Sequence, residues 1–240
     1  MKLVLFSSIL FSLIGLSCSS PLSDTNVADP SLLEPQLMVL KTINGDSRSV
    51  TYTCNIYDKN LNLVTLQNGN VKINGFQMNE QADIFGGEGY YLSGEAEVVF
   101  DTNKTFIFTL TLSDGSQYTG TVISQSKDLY QFNAPASQSH TQDITVSWKD
   151  TDPNSTMSVQ MIYYWKADSS KGTGAQTFSI STPSTGTYTI KSSQFTVPQG
   201  TTYRVDLTLV SEKAGTIDSH FRPGSSAVSE LSYLRSVTLN

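Results

Sequence analysis

The chain has 240 residues, with 15 Lys and Arg against 21 Asp and Glu for a formal net charge of −6 at pH 7, and 15% of its residues are charged. An acidic chain without a basic run has nothing to neutralise phosphates, which argues against nucleic acid and anionic lipid surfaces as partners. The length allows two small domains or one larger one, and either half is long enough to bury a core.

Met1 and Lys2 precede an apolar stretch from Leu3 to Leu16. One positive charge followed by a short apolar run is the pattern of an export signal. It falls short of the about 20 apolar residues a spanning helix needs, and no second such run follows. The run ends in Leu13-Ile14-Gly15-Leu16-Ser17-Cys18-Ser19-Ser20. This resembles the lipobox of bacterial lipoproteins, although Gly15 and Leu16 stand where that family prefers Leu and a small residue. The resemblance implies a signal peptide over residues 1–17 and a lipid on Cys18. It further implies a cell-envelope location, with Ser19 in place of an aspartate favouring the outer membrane or cell surface. The other reading is an ordinary secretory signal cut near Ser17 or Ser20. Without residues 1–17, which carry only Lys2, 14 basic and 21 acidic residues remain, a net of −7. Only one other cysteine exists, so acylation of Cys18 leaves Cys54 without an intramolecular partner. Cys54 shares a strand face with Val50, Tyr52 and Ile56, which suits a small buried hydrophobe.

Residues 18–35 contain Pro21, Pro30 and Pro35 among polar residues and show no periodicity, the composition of a flexible tether. From Gln36 the apolar period becomes two. Strands are predicted at Leu37–Leu40, Arg48–Tyr57, Leu61–Leu66 and Asn70–Met78, with Gln67-Asn68-Gly69 as a hairpin turn between the last two. A three-strand meander follows at Gly94–Phe100, Thr105–Leu112 and Gln117–Ile123. Apolar density falls from Ser124 to Gln142, which marks a boundary between domains at 36–124 and 135–240. Strands resume at Asp143–Trp148, Ser158–Trp165, Thr177–Ile180, Thr187–Phe195, Thr202–Val210 and Tyr233–Leu239. Ser226–Leu234 is the one marginal helical candidate.

Ile144-Thr145-Val146-Ser147-Trp148 followed by Asp152-Pro153, and Val197-Pro198-Gln199-Gly200-Thr201-Thr202-Tyr203-Arg204-Val205, are similar to the second strand and the sixth-strand approach of fibronectin type III domains. The resemblance covers the last 100 or so residues. It implies a core tryptophan at Trp148 and a corner tyrosine at Tyr203, one residue further from Pro198 than that family's pattern. The fold class expected is therefore all-β: two Ig-like or fibronectin-III-like antiparallel β-sandwich domains after a signal peptide and tether.

Chemistry is sparse. His140 and His220 are the only histidines, and Ser219 beside His220 lacks the geometry of a triad. Asp150-Thr151-Asp152-Pro153-Asn154 begins like a calcium loop but lacks its glycine and closing glutamate, and reads as a turn. Glu95 and Glu97 read as solvated acids on one strand face. Neither a catalytic set nor a cofactor or metal site is indicated, so a non-enzymatic role is expected. The most unusual stretch runs from Phe85 to Gly94. Phe85, Glu88, Tyr90 and Tyr91 there form a candidate ligand loop, with aromatic faces for a sugar ring and a carboxylate for its hydroxyls. The glycines equally suit a turn leading into a strand. These features describe an envelope lipoprotein that binds a protein or glycan through sandwich loops or edges. The alternatives are a structural spacer or assembly subunit, and a subunit of an enzyme whose active site lies in a partner.

Overall fold

The computed structural model describes residues 20–82, 88–93, 98–128, 131–167, 170–180 and 185–240, and Cys18 and the rest of 1–19 lie outside them. The described residues are all-β, with short 3₁₀ turns and no α-helix.

The first hairpin joins β1 (Glu34–Asn44) to β2 (Ser47–Tyr57) through Gly45-Asp46. Leu37, Val39 and Ile43 of β1, and Val50, Tyr52, Cys54 and Ile56 of β2, are buried at every second position, the spacing of a sheet with one dry face. Next come β3 (Asn70–Ile73), β4 (Phe76–Gln77), β5 (Asn79–Ala82) and β6 (Glu88–Ser93). The expected strand over Asn70–Met78 is thus a hairpin. Asn74 at φ +48° and Gly75 at φ +86° turn it, as the Asn-Gly pair in a two-residue turn does. Leu61–Leu66, expected as a strand, is irregular apart from a bridge between Tyr57 and Leu63, because Leu61 sits at φ +63° and breaks the extension. Strands β7 (Thr105–Thr111) and β8 (Gln117–Ile123) pair as expected. The other neighbour of β7 is β3, and Val98 and Phe100 are buried without joining a strand; residues 94–97 lie outside the described set.

The second half contributes β9 (Gln131–Asn133), β10 (Ser137–Gln138), β11 (Ile144–Lys149), β12 (Thr156–Ala167), β13 (Ser170–Ile180), β14 (Gly186–Ile190), β15 (Thr201–Ala214), β16 (Thr216–Ile217) and β17 (Ser226–Leu239). The helical candidate at Ser226–Leu234 is therefore part of a strand. Ala227, Ser229, Leu231 and Tyr233 are buried in alternation, and pairing with β15 on one side and β1 on the other overrides local preference.

One large sheet runs β13-β12-β15-β17-β1-β2-β6-β5, with β10 added beside β17. A second sheet, β16-β8-β7-β3-β4, and a third, β14-β11-β9, complete two sandwiches. The first core holds Tyr52, Cys54, Phe106, Phe108 and Leu110, together with Phe221 and Ala227 from near the C-terminus. The second holds Trp148, Phe132, Val159, Leu207 and Leu209, together with Ile43 from β1. Most of each core lies on one side of the boundary read at residues 124–135, while β1 and β17 cross it. They pair in parallel from Gln36–Ser226 to Asn44–Leu234. Gln125 ties the junction: its amide donates to the carbonyls of Ser211 (2.7 Å) and Ser229 (2.8 Å) and accepts from the Ser229 hydroxyl at 3.0 Å.

Residues 20–33, expected within a tether, lie against the first core. Ser20 N donates to Leu63 O at 2.8 Å and its hydroxyl to Asp58 at 2.7 Å, while Val27 and Leu33 are buried. The prolines set short 3₁₀ turns at Pro21–Asp24 and Pro30–Leu32, capped by Ser20 and Asp29.

Candidate functional site

Of the loop Phe85–Gly94, Phe85 lies outside the described residues, as do the side chains of Glu88 and Tyr91. Tyr90 is 4% exposed in the first core, and its hydroxyl accepts from Leu66 N at 2.6 Å. A ring in that position anchors the irregular 61–66 segment and offers no face to a ligand. Asp152 is equally committed. It is 1% exposed and accepts from Ser126 N, Asn154 N and Lys213 Nζ. Burial pushes its carboxyl up, but those partners outweigh it and hold it below the usual range. Both histidines lie on the surface, His140 Nδ1 beside Asn240 O and His220 Nδ1 beside Asp218. Glu95 and Glu97 lie outside the described residues. Among the described residues no three His, Cys, Asp or Glu side chains converge as metal ligands.

Trp148 is buried in the second core. Tyr203 does not lock the corner. Tyr164 of β12 pairs with Arg204, but Trp165 pairs with Thr202, so Tyr203 is the extra residue of a β-bulge. One residue of displacement along a strand exchanges its faces, and the buried corner tie falls to Thr202, whose hydroxyl donates to Phe195 O at 2.5 Å.

The bulge stands beside the arrangement best suited to binding, the outer end of the β12–β13 hairpin. Met157, Val159 and Met161 carry β12 through the second core, and Tyr163 and Trp165 continue the same face, half-buried. Across the hairpin Tyr163 faces Gly174 and Trp165 faces Gly172. Both rings lie directly on the partner strand: a Cβ on Gly174 would meet Tyr163 Cζ at 2.1 Å, and one on Gly172 would meet Trp165 Cζ2 at 2.3 Å. Any side chain there would lift the rings off. On the opposite face the Arg204 guanidinium lies 4.3 Å from the Tyr164 ring centre, and Tyr203 packs 6.5 Å from it. Arg204 is held by a two-pronged ion pair with Asp206. Burial pushes the Asp206 carboxyl up, but Arg204, Ser236 and Tyr164 together hold it low, so the pair stays charged at neutral pH.

Two aromatic rings laid flat on one face, and a third with a fixed cation on the other, form a platform for stacking against sugar rings or apolar side chains. Strand β13 is also one of the two edges of the large sheet. The sequence signal for this site is Tyr163-Tyr164-Trp165 mirrored across a turn by Gly172-Thr173-Gly174. Period-two apolar alternation marks β13 only from Thr177 on, because Ser170–Gln176 carries no large apolar residue. A shallow groove of about 410 Å³ beside Pro135, Asp143 and Thr145 is less promising. Its Asp143 is engaged by Lys191 and by the Ser192 N–H.

No protein-family model matches the sequence, and no curated protein matches it well enough to show a family. Among solved structures, a crystal structure of the FN1–FN3 domains of chicken CNTN1 is similar over 86% of this chain and 68% of that one, at 10% identity and a TM-score of 0.26. A superposition that loose carries no argument about fold or role. The fold class rests on the strands and sheets themselves.

Proposed function

We propose that this chain is a non-enzymatic envelope protein, held to a membrane by a lipid on Cys18, that binds a protein or glycan through the outer end of the β12–β13 hairpin. The observation that carries the binding reading is the pair Tyr163 and Trp165 lying over Gly174 and Gly172. Tyr163 packs at the margin of the second core and Trp165 lies beyond it, so aromatic surface laid flat by glycines continues past the core at a sheet edge, where an outside partner can reach it. The lipid reading rests on Gly15–Cys18 at the end of the apolar run.

The test has two parts. Intact mass of the protein from its native membrane, with a Cys18→Ala control, is expected to show a chain beginning at Cys18 with an acyl modification. A lipid-free mass starting at Ser19 or later would make it a released protein. Glycan and peptide arrays probed with the wild type and with Trp165→Ala are expected to give hits that weaken about tenfold or more in the variant, since truncating an aromatic anchor of an interface costs ~2 kcal/mol or more. Hits indifferent to Trp165 would move the site elsewhere. A spacer that holds other components apart predicts no hits at all.

A further inference from the structure

Ser20 is 1% exposed and fixed through both its backbone and its hydroxyl. Cys18 is two residues earlier, so an acylated cysteine lies within about 7 Å of Ser20, the full reach of two residues. A leash that short cannot hold the folded body away from the lipid, whatever the conformation of residues 18 and 19.

The surface around Ser20 suits such contact. Asp58 accepts from the Ser20 hydroxyl and from the backbone N–H groups of Asn60 and Asn62, which shapes the turn between Asp58 and Asn62. Leu61 at its tip is 67% exposed at φ +63°, where Gly or Asn is the ordinary occupant. Arg222 binds a second segment to the same end. Its N–H donates to Leu33 O at 2.9 Å, and its guanidinium reaches Asp58 O and Glu34, each at 3.3 Å. Leu32, directly before this bonded stretch, is 45% exposed. Two outward-facing leucines therefore flank the point where the anchor enters.

We propose that this end of the first sandwich, with Ser20, Leu61 and Leu32, rests on the lipid surface that holds the Cys18 acyl chains. The proposal rests on the lipid-anchor reading above and adds an orientation to it. Strand register then fixes where the aromatic hairpin stands. Glu34 pairs with Tyr57 at the anchored end, and β1 runs ten residues to Asn44, level with Leu234. From Leu234, β17 runs four more to Thr238, level with Arg204 and so with Tyr164, and β12 continues three to Ala167 in the same direction. At ~3.3 Å per residue that is roughly 55 Å of strand between the lipid and the hairpin tip.

The test uses the full lipidated chain in phosphatidylcholine vesicles, with an environment-sensitive fluorophore on Leu61→Cys, Leu32→Cys or, in the second sandwich, Thr145→Cys. Cys54 is fully buried and stays unlabelled. Probes at 61 and 32 are expected to shift to the blue and to be quenched roughly twofold by spin-labelled phospholipid, as an apolar side chain seated ~5–10 Å into the interface is. The probe at 145 is expected to remain in water. Equal behaviour at all three positions, in protein whose mass shows the lipid, overturns the orientation and leaves the anchor standing. A lipid-free mass overturns the anchor itself.

Discussion

Asp58 is almost wholly buried and yet held in its charged form. Burial pushes its carboxyl up, but the hydroxyl of Ser20 and the donors of Asn62 and Asn60 outweigh this and keep it below the usual range. A depressed carboxylate stabilises the fold above the unfolded-chain value of about 3.9, and that contribution is lost as pH falls through the folded value. Asp58→Ala is expected to cost about 1–3 kcal/mol at pH 7, from the donors it leaves unpaired, with the difference shrinking toward pH 2 in denaturant titrations. A constant difference at all pH values would show that charge is not what holds the turn. Glu230 has the opposite sign. It pairs across the strands with Glu212, and burial pushes both carboxyls up, Glu212 further through Glu230's charge. The folded chain then holds protons that the unfolded chain has released, so stability is full below the ordinary carboxylate range and falls as pH rises through the raised values. Glu230→Gln is expected to raise Tm at pH 7 and to leave it unchanged at pH 3. A lower Tm at pH 7 would mean that the hydrogen bond Ser232 donates to Glu230 outweighs the cost of burying its charge. Such sign differences between like residues are not legible in a sequence, because they depend on neighbours far along the chain.

At the scale of the element, period-two alternation located most strands, since a half-buried strand writes its dry face into every second residue. Failures fell where special backbone or pairing decides. Asn68-Gly69 and Asn74-Gly75 look alike as text, but only the second joins two strands paired at once on either side, Ile73 with Phe76. Ser170–Gly174 lacks large apolar residues because the rings of Tyr163 and Trp165 fill the space its side chains would occupy. The candidate loop at Tyr90 and the hairpin at Trp165 share the same ingredients, aromatic residues and glycines. What separates them is burial, which sequence alone does not reveal. Gly172→Ala tests the hairpin directly. The new methyl must displace the Trp165 ring, so emission is expected to shift to the red, at a cost of about 1–3 kcal/mol for overpacking. Trp148, the only other tryptophan, is buried in the second core and supplies an unchanged blue component. An unaltered spectrum would place Trp165 away from Gly172.

For the whole molecule, β1 and β17 contribute side chains to both cores: Leu37, Val39 and Ala227 to the first, and Ile43, Leu231, Tyr233, Val237 and Leu239 to the second. Neither core is complete without strands that cross to the other. One cooperative thermal transition is therefore expected, with calorimetric and van't Hoff enthalpies in agreement. Two resolved transitions would show that the cores melt independently. Ending the chain before β17 is expected to unfold both, seen as loss of near-UV dichroism from aromatic residues on each side. The all-β class was legible in the period-two alternation. The crossing was not, because the partners in the β1–β17 ladder stand about 190 residues apart and no local pattern records their register.

The same ladder sets an order of events in time. Strand β17 is made about 190 residues after its neighbour β1, so the central sheet cannot close while any part of β17 remains in the ribosome. Closing a loop of that length makes folding slow and late. The central sheet is therefore assembled only once β17 is free to pair, rather than strand by strand as the chain emerges.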